Sequence, residues 1–576
     1  MKKYIIPLIV AAVAAPAIFH AQKSNEPPQV SHDTAMSRNI MIFNELVRQL
    51  ENTYVDSIRP DEAFNVAIGA MLNTVDPYTE YYNSEQKESL MQMTTGVYGG
   101  IGAMVMTREG NTYFSEPLED SPALKAGIKA GDKILRVDSI DMKGKSSDFT
   151  TKHLRGEPGT TVRVTVMRPY ATDSVMTFDI VRERLRQPSV PFYGVVDGNT
   201  GYIYLNSFME NSADEVKKAL ESFLDNPDVT NLVLDLRGNG GGLVESAINI
   251  LGNFLPKDTE VLVTKGKDKS QTKTYRTTHN PIFPDMPLAV LIDGGSASAS
   301  EITAGALQDL DRAVLVGNRS FGKGLVQTTY QLPYDGLLKV TTAKYYIPSG
   351  RLIQALDYSH RNPDGSVART PDSLTNEYKT KHGRIVRDGG GLIPDTTVAL
   401  RDYSRLLYNL ISTQQIFDYA TKYAAEHPSI ASPSEFYVTD EIFDDFVAFI
   451  DTTKVKSDKV GVQMVEDLRK TAKIEGYMTD SLAAGLDALQ KQLQPELKDI
   501  LYNRKDEVSE FLGREIVGRY YLGAGEDEYM LRFDNDLKTA REILTDPAKY
   551  NSILGLKDQG QTSKAAQTKT KKKSKK

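Results

Sequence analysis

Apolar and polar positions change their period along the chain, and each change marks a different kind of structure. Between about residues 36 and 90, apolar side chains recur every four positions, for example at Ile42, Leu46 and Leu50. This spacing predicts amphipathic helices. From about 96 to 170 the pattern becomes short apolar runs separated by turn residues, which predicts a small β-rich domain.

Between about residues 190 and 400, short apolar runs alternate with helical spacing. Such short runs are typical of buried parallel strands. Ser212 and Glu215 fit a capping box at the start of the helix that follows the first run. The alternation predicts an α/β domain. The predicted strands are 202–205, 232–236, 288–292 and 313–316.

The amino terminus predicts export. Lys2 and Lys3 precede an apolar run over residues 4–19, which is short for a membrane-spanning helix and is followed by small residues suited to cleavage. We expect a signal peptide over 1–21 and no stable membrane span after its removal. An uncleaved amino-terminal anchor is the alternative. No later run reaches the roughly 20 apolar residues that a span requires.

The length of the chain and the changes in its apolar pattern together predict several domains, because 576 residues exceed one ordinary domain. The basic run at the end, TKTKKKSKK, predicts a solvated tail, with attraction to an anionic polymer or lipid as the alternative. In chain order, the predicted segments are signal peptide 1–21, linker 22–35, amino-terminal helical region 36–95, β-rich domain 96–170, α/β domain 171–400, carboxyl-terminal helical region 401–556 and disordered basic tail 557–576.

Composition removes several classes of function. The formal net charge of −7 argues against a nucleic-acid-binding protein. The chain has no cysteine, which excludes a cysteine nucleophile, disulfides and thiolate metal sites. No histidine and glutamate spacing of the metallopeptidase type occurs, so we expect no metal in the site.

A candidate nucleophile lies directly after the predicted strand 288–292. The segment DGGSASASEITAGAL places glycines and small residues before a helix that starts near Glu301. Ser298 would therefore lie at a helix amino terminus, where free N–H groups favour a developing negative charge. A plain glycine and serine cap or turn is the alternative.

A candidate base follows the next predicted strand. Lys323 lies between glycines in GNRSFGKGLVQ, with apolar neighbours that would exclude water. To accept a proton near neutral pH, its pKa must fall from about 10.4 by roughly three pH units, which corresponds to about 4 kcal/mol. A neutral lysine can then activate a serine. His279 is the nearest histidine to Ser298 in the sequence and remains an alternative base.

Two further motifs leave alternatives open. The loop DLRGNGGG, residues 235–242, lets backbone N–H groups approach a ligand, but it lacks the Gly-Lys-Ser/Thr ending of a phosphate-binding loop. It therefore better suits an oxyanion. The S-x-x-K match at Ser320 to Lys323 suggests a penicillin-recognising enzyme, although the K-T-G partner motif is absent.

The motifs GSASASEI, FGKGLVQ and DLRGNGGG resemble those of the carboxyl-terminal processing peptidases, the tail-specific proteases of the S41 class. This resemblance implies a catalytic core of the ClpP/crotonase-like type that needs no cofactor. It implies that Ser298, Lys323 and Gln327 are catalytic, with Gln327 positioning the lysine or lining the site. The N–H groups of Ala299 and Gly241 would form the oxyanion hole.

Residues 96–170 resemble the inserted PDZ domain of the same family. Such a domain adds a peptide as an extra strand and captures its terminal carboxylate with loop N–H groups. An ordinary glycine turn is the alternative for its YGGIG segment. The expected carboxylate-binding residues are Tyr98, Gly99, Gly100, Ile101 and Gly102.

The resemblance implies an exported serine endopeptidase in the periplasm or cell envelope of a bacterium. Its partners would be proteins or peptides with a free carboxyl terminus, which it would process or degrade, and self-association into a homo-oligomer is compatible with it. No nucleic-acid partner is expected. A catalytically inactive PDZ-type scaffold and a penicillin-recognising Ser-Lys acyltransferase are the alternative functions.

Overall fold

The computed structural model describes residues 32–362, 364–455, 460–493 and 496–556. These residues form two compact units, one ending at Met71 and one beginning at Leu72. The predicted signal peptide and the predicted basic tail lie outside the described residues. Of the predicted linker 22–35, the described part, residues 32–35, already belongs to the first helix.

The first unit is helical, as the four-residue spacing predicts. It contains helix α1 (His32–Thr53) and most of helix α2 (Pro60–Asn73). The rings of Phe43 and Phe64 pack edge to face with centroids 5.9 Å apart, which joins the two helices. The apolar residues Ile42, Leu46 and Leu50 remain exposed on α1. Neither these helices nor any other described helix is both long and apolar enough to cross a membrane.

The second unit begins with a short strand, a helix and a β-rich domain. In that domain the strand order is β3-β4-β5-β7-β8, with β6 on β5, and a separate ribbon pairs β2 with β9. Alternation in β7 turns Val162, Val164 and Val166 inwards, where all three are fully buried. The bounds are β1 (Glu80–Tyr82), α3 (Lys87–Thr95), β2 (Val97–Gly100), β3 (Ala103–Arg108), β4 (Asn111–Pro117), α4 (Pro122–Ala126), β5 (Lys133–Val137), β6 (Ile140–Asp141), α5 (Ser147–Leu154), β7 (Thr161–Met167), β8 (Val175–Val181) and β9 (Glu183–Arg186).

An α/β domain follows, as the alternating pattern predicts. Its elements are β10 (Phe192–Val196), β11 (Thr200–Tyr204), α6 (Ser212–Leu224), β12 (Asn231–Asp235), α7 (Val244–Leu251), β13 (Glu260–Gly266), β14 (Lys273–Arg276), β15 (Leu288–Ile292), α8 (Ala299–Asp309), β16 (Val314–Gly317), β17 (Leu325–Gln331), β18 (Leu337–Tyr346), β19 (Leu356–Arg361), β20 (Val367–Arg369), β21 (Glu377–Lys379), β22 (Ile385–Arg387) and β23 (Thr396–Thr397). Short 3-10 helices lie at Lys269–Gln271 and Asp372–Leu374.

Two sheets organise this domain. The first has the order β10-β11-β12-β15-β16-β23, and all its pairs from β11 onward are parallel. Every residue of β12 and β15 is buried, because helices cover both faces of a parallel sheet of this kind. The second sheet, β1-β18-β13-β14 with β17 on β18, is antiparallel. Residues 355–390 contain two short hairpins, β19-β20 and β21-β22.

The carboxyl-terminal region is helical, as predicted, and its core is rich in aromatic residues. Its elements are α9 (Arg405–Ser412), α10 (Gln415–Glu426), α11 (Asp440–Phe449), α12 (Val460–Ile474), α13 (Asp480–Gln492), α14 (Leu497–Asn503), α15 (Lys505–Met530), a 3-10 helix (Leu531–Phe533), α16 (Asn535–Leu544) and α17 (Pro547–Ile553). Helix α15 is kinked at Leu522, which has φ 56° and ψ −163°.

The last two helices pack on the parallel sheet. Leu537, Ala540 and Ile543 of α16 share one core with Val233 of β12 and Leu291 of β15. Helices α6, α7 and α8 belong to the core on the other face. Helix α16 therefore covers one face of the parallel sheet, although it lies far beyond the predicted domain boundary at residue 400, and that boundary stays a prediction.

The predicted capping box on α6 is wrong. The helix is preceded by Asn211 at the N-cap, with no side-chain cap hydrogen bond. The Ser212 hydroxyl instead accepts a hydrogen bond from Met209 N at 2.6 Å. The Glu215 carboxylate accepts from Ser189 N and Val190 N at 2.8 and 2.9 Å. The backbone N–H groups of Ser189 and Val190 thus bind the Glu215 carboxylate, which the capping-box spacing assigns to the amino terminus of α6.

Candidate active site

Ser298 lies between β15 and α8 in a strained backbone conformation. As the N-cap of α8 it has φ 55° and ψ −112°, values that a residue with a side chain rarely adopts. The preceding loop is held by Asp293 Oδ1, which accepts from Gly295 N at 2.9 Å and Ser296 N at 3.1 Å. Strain of this kind concentrates at functional sites, where the surrounding structure imposes it.

The fully buried carboxylate of Glu301 joins the two candidate catalytic segments. Its Oε2 accepts from Ser298 N at 3.0 Å and from Lys323 N at 2.9 Å. Its Oε1 accepts from Ser320 Oγ at 2.5 Å and Gly322 N at 2.8 Å. Burial raises the pKa of Glu301 to about 7, although these four hydrogen bonds act in the opposite direction.

Lys323 is half-buried, and its amine faces an aromatic ring. Burial lowers the pKa of Lys323 below its ordinary value, and the nearby Lys339 ammonium acts in the same direction. Its Nζ lies 4.4 Å from the centroid of the Tyr78 ring. In the described part of the chain, no hydrogen bond joins Lys323 Nζ to Ser298 Oγ. The fold thus brings the two backbones together and leaves the amine on Tyr78.

Gln327 lies on β17, four residues after Lys323. Its Nε2 donates to Thr341 Oγ1 on β18 at 3.1 Å. The ladder between these strands shifts register between Val326 and Gln327. Gln327 is therefore held on the ribbon that begins two residues after the candidate base, and its role in catalysis stays a prediction.

The glycine loop after β12 approaches the candidate nucleophile closely. A Cβ placed on Gly241 would lie 2.8 Å from Ser298 Cβ and 2.9 Å from Ala299 N. Among the described residues, the N–H of Ala299 has no hydrogen-bond acceptor, which leaves it available to an oxyanion. The N–H of Gly241, in contrast, donates to Asn239 Oδ1 at 2.8 Å. An oxyanion at the Gly241 N–H would have to displace that side-chain oxygen.

Arg237 ties the start of this loop to the last helices of the chain. Its guanidinium donates to Asp235 and, at 3.0 Å each, to Asp534 Oδ1 and Asp536 Oδ2. Burial acts to lower the pKa of the guanidinium, but the carboxylates of Asp235 and Asp534 outweigh it and keep that pKa well above its ordinary value. The loop that carries Gly241 is thereby anchored to the helix that covers the parallel sheet.

The predicted carboxylate-binding residues divide between a ribbon and a turn. Tyr98, Gly99 and Gly100 belong to β2, paired with β9. The Ile101 side chain is buried in the core of the β-rich domain, and Gly102, with φ 71°, lies at the turn into β3. Within the described residues, β3 is an edge strand of its sheet.

Comparison with known proteins adds the identity of these parts. The family model of peptidase family S41 matches residues 199–360, and a PDZ domain model matches residues 99–180. A third model, "Probable PDZ-protease, C-terminal helical domain", matches residues 406–544. The "Carboxy-terminal-processing protease" of Bartonella bacilliformis is 35% identical over 317 residues, which cover 54% of this chain and 72% of that protein.

The chain belongs to peptidase family S41. It is a serine peptidase of the carboxy-terminal-processing kind, with a PDZ domain. A "Probable CtpA-like serine protease" of Staphylococcus haemolyticus is 32% identical over 373 residues, or 64% of this chain and 73% of that protein. The solved photosystem II D1 C-terminal processing protease has 27% identity, covers 61% of this chain and 86% of its own, and gives a TM-score of 0.34.

The surroundings of Ser320 and His279 in this S41 peptidase argue against the alternative sites. Ser320 is buried, and its hydroxyl donates to Glu301 and accepts from Leu392 N at 2.7 Å. It is therefore a structural serine and not an exposed nucleophile. His279 has its Nε2 3.4 Å from Asn253 Oδ1, and no described hydrogen bond joins it to Ser298. No described group of three or more His, Cys, Asp or Glu is placed to hold a metal ion.

Sequence reasoning missed two residues of the site. Glu301 follows Ser298 by three positions, and this capping spacing is the signal that would have marked its carboxylate as an acceptor. Tyr78 lies just before β1, in a segment for which the sequence predicts no contact with Lys323. The pairing of β1 with β18 brings that segment to the site.

Proposed function

We propose that this S41 peptidase is an exported endopeptidase that docks the carboxyl-terminal segment of a protein substrate on its PDZ domain and cleaves it with Ser298 as nucleophile and Lys323 as general base. The observation that carries the proposal is the shared Glu301 carboxylate. It ties the strained backbone of Ser298 to the backbone of a half-buried lysine whose pKa is lowered.

The proposed reaction is an acyl transfer to serine followed by hydrolysis. The neutral amine of Lys323 takes the proton of Ser298 Oγ as the oxygen attacks the scissile carbonyl. The N–H of Ala299, with Gly241 as the second candidate donor, stabilises the oxyanion. The ammonium then protonates the leaving amine, and water activated by the same lysine releases the acyl group. Gln327 lines the site beside the lysine, and no cofactor takes part.

Substrate docking is proposed at the edge of β3. An extended peptide gains backbone hydrogen bonds by pairing with an unpaired edge strand. The turn at Ile101 and Gly102 directly precedes β3, so its N–H groups lie at one end of such a peptide. This placement supports capture of a terminal carboxylate at the turn, with Tyr98, Gly99 and Gly100 holding the turn through the β2-β9 ribbon.

Export and the class of substrate rest on the sequence. The pattern of Lys2, Lys3 and the apolar run after them supports secretion into the periplasm or envelope of a bacterium, where envelope proteins would be the substrates. Cell fractionation with amino-terminal sequencing of the mature protein tests this part. If the full-length, uncleaved protein is found only in the cytoplasm, the proposal of export is contradicted.

The experiment for the reaction is cleavage of an unfolded model protein with either a free or an amidated carboxyl terminus. Wild type should cleave the free form, and amidation should lower kcat/KM about tenfold or more, because the docking N–H groups then lose a charged partner. Ser298→Ala and Lys323→Ala should abolish cleavage. Lys344→Ala, at an exposed position on β18, is the matched control and should keep activity. Cleavage by Ser298→Ala at the wild-type rate would end the assignment.

A further inference from the structure

The position of the Lys323 amine is itself informative. Its Nζ lies 4.4 Å from the centroid of the Tyr78 ring, within the range of a cation–π contact. The face of an aromatic ring attracts an ammonium and offers no comparable attraction to a neutral amine. The observed geometry therefore suits the protonated lysine, whereas a general base must be unprotonated.

The ring of Tyr78 is fixed by its own neighbours. Asp76, a buried residue, accepts from Tyr78 N and Thr79 N through Oδ1, both at 2.8 Å. The hydroxyl groups of Tyr78 and Tyr358 lie 3.2 Å apart, and the two rings pack edge to face at 5.9 Å. Burial raises the pKa of Tyr78 well above its ordinary value, so the ring that faces the lysine is a neutral phenol.

Charged groups reach the amine from several elements. Lys339 on β18 disfavours its protonation, as does burial. Asp76 before β1, Glu80 on β1 and Glu301 on α8 favour protonation. Tyr78 adds an uncharged surface that stabilises the ammonium only while the side chain stays on the ring. Leaving the ring and losing the proton are thus coupled.

We propose that Tyr78 is a positioning residue that holds Lys323 in its ammonium form away from Ser298, and that the lysine leaves this ring to become the base. The proposal rests on the proposed role of Lys323. The proposed order of events begins when the Lys323 ammonium loses one proton to water. The neutral amine then turns to Ser298 Oγ, takes its proton during attack and delivers that proton to the leaving amine. Return to the ring follows reprotonation.

The proposal predicts a shift in the pH profile. In Tyr78→Leu, which removes the ring, the acidic limb of kcat/KM should move down by about 0.5 to 1.5 pH units, as expected from the strength of a partly buried cation–π contact. At a fixed pH on that limb, activity relative to the plateau should rise about 3- to 30-fold. Tyr78→Phe keeps the ring and should keep the wild-type limb.

Two outcomes would overturn it. If the acidic limb of kcat/KM does not shift in Tyr78→Leu and activity falls equally at every pH, Tyr78 has only a structural role. An equal shift in Tyr78→Phe would assign the effect to the hydroxyl contact with Tyr358. If Tyr78→Leu does not fold, Tyr78→Met repeats the measurement with another ringless side chain.

A second readout separates this proposal from the proposed function. The carbon-13 shift of Lys323 Cε, titrated by NMR in Ser298→Ala, reports the pKa of the amine without turnover. Adding Tyr78→Leu should lower that pKa by the same 0.5 to 1.5 pH units. An unchanged pKa of the Lys323 amine would contradict the proposed role of Tyr78. Activity retained by Lys323→Ala would instead remove the lysine as base while the titration still measures the ring contact.

Discussion

Ser298 and Lys323 each donate a backbone N–H to the same oxygen, Oε2 of Glu301, at 3.0 and 2.9 Å. The candidate nucleophile and the candidate base are 25 positions apart in the sequence. One buried carboxylate thus sets the distance between their two backbones, whereas the Lys323 amine lies on the Tyr78 ring. The movement of that amine from the ring to Ser298, as we propose, would leave the two backbones in place.

The first prediction concerns the geometry that Glu301 imposes. Glu301→Gln replaces one acceptor oxygen with an NH2 donor, so one of the two pairs of donors loses its acceptor whichever way the amide is oriented. We expect kcat to fall about 10- to 100-fold, because small displacements of catalytic groups have effects of this size. Steady-state kinetics on an unfolded protein substrate measures it. A near-wild-type kcat with unchanged secondary structure by circular dichroism would contradict the prediction.

The same carboxylate makes stability depend on pH. Its pKa in the fold is about 7, above the ordinary value of 4.5. A raised pKa means that the protonated form is favoured by folding, so its contribution is complete below pH 4.5 and is lost as the pH rises through 7. The loss approaches about 3 kcal/mol above that range.

Thermal unfolding from pH 5 to pH 9 tests this dependence. The melting temperature of wild type should fall relative to that of Glu301→Gln as the pH rises. Two curves that stay parallel over the range would show that Glu301 keeps one protonation state throughout.

Two neighbouring glycines provide a matched pair for the third prediction. A Cβ on Gly241, where φ is +100°, would lie 2.7 Å from Ala297 O and 2.8 Å from Ser298 Cβ, whereas a Cβ on Gly240 meets nothing within 4 Å. Gly241→Ala should therefore displace the nucleophile and lower kcat/KM about 100-fold, with about 1–3 kcal/mol of backbone strain. Gly240→Ala should remain close to wild type. Equal activities of the two variants would contradict this assignment of the close approach.

The sequence predicted secondary structure most accurately where a single local factor, such as the burial of a short apolar run, decides it. The strand Leu288–Ile292 matches its predicted bounds, because a short apolar run has few other ways to be buried. The resemblance of the motifs GSASASEI, FGKGLVQ and DLRGNGGG to those of the S41 family is also confirmed. The hydrogen bonds that Glu301 accepts from Ser320, Gly322 and Lys323 were not predicted, because donors so far along the chain reach Glu301 only through the way β16 and β17 follow α8.

Packing partners are the other part that the pattern leaves open. The periodicity of residues 535–544 predicts a helix with an apolar face but not the surface that the face covers. Helix α16 belongs to the carboxyl-terminal helical stretch in the sequence and to the parallel sheet in the fold. The same limitation explains the capping box at Ser212 and Glu215, whose side chains serve a neighbouring segment instead.

The last prediction tests which core α16 stabilises. Ile543 is fully buried against the parallel sheet, and the adjacent Glu542 is exposed. Ile543→Ala should cost about 2–5 kcal/mol, because it leaves a cavity in that core. Glu542→Ala should change stability by less than about 0.5 kcal/mol. Melting temperature and the temperature of inactivation should both fall in the first variant only.

Hydrogen exchange locates the effect of Ile543→Ala. If α16 packs on the parallel sheet, the amides of β15 and β16 should lose protection from hydrogen exchange in this variant. The amides of α10, which lies in the separate aromatic core, should keep their protection. Loss confined to α10 would place α16 with the helical region and contradict the prediction. Because Ser298 directly follows β15 and its loop, loosening of that strand should also lower kcat before the protein unfolds.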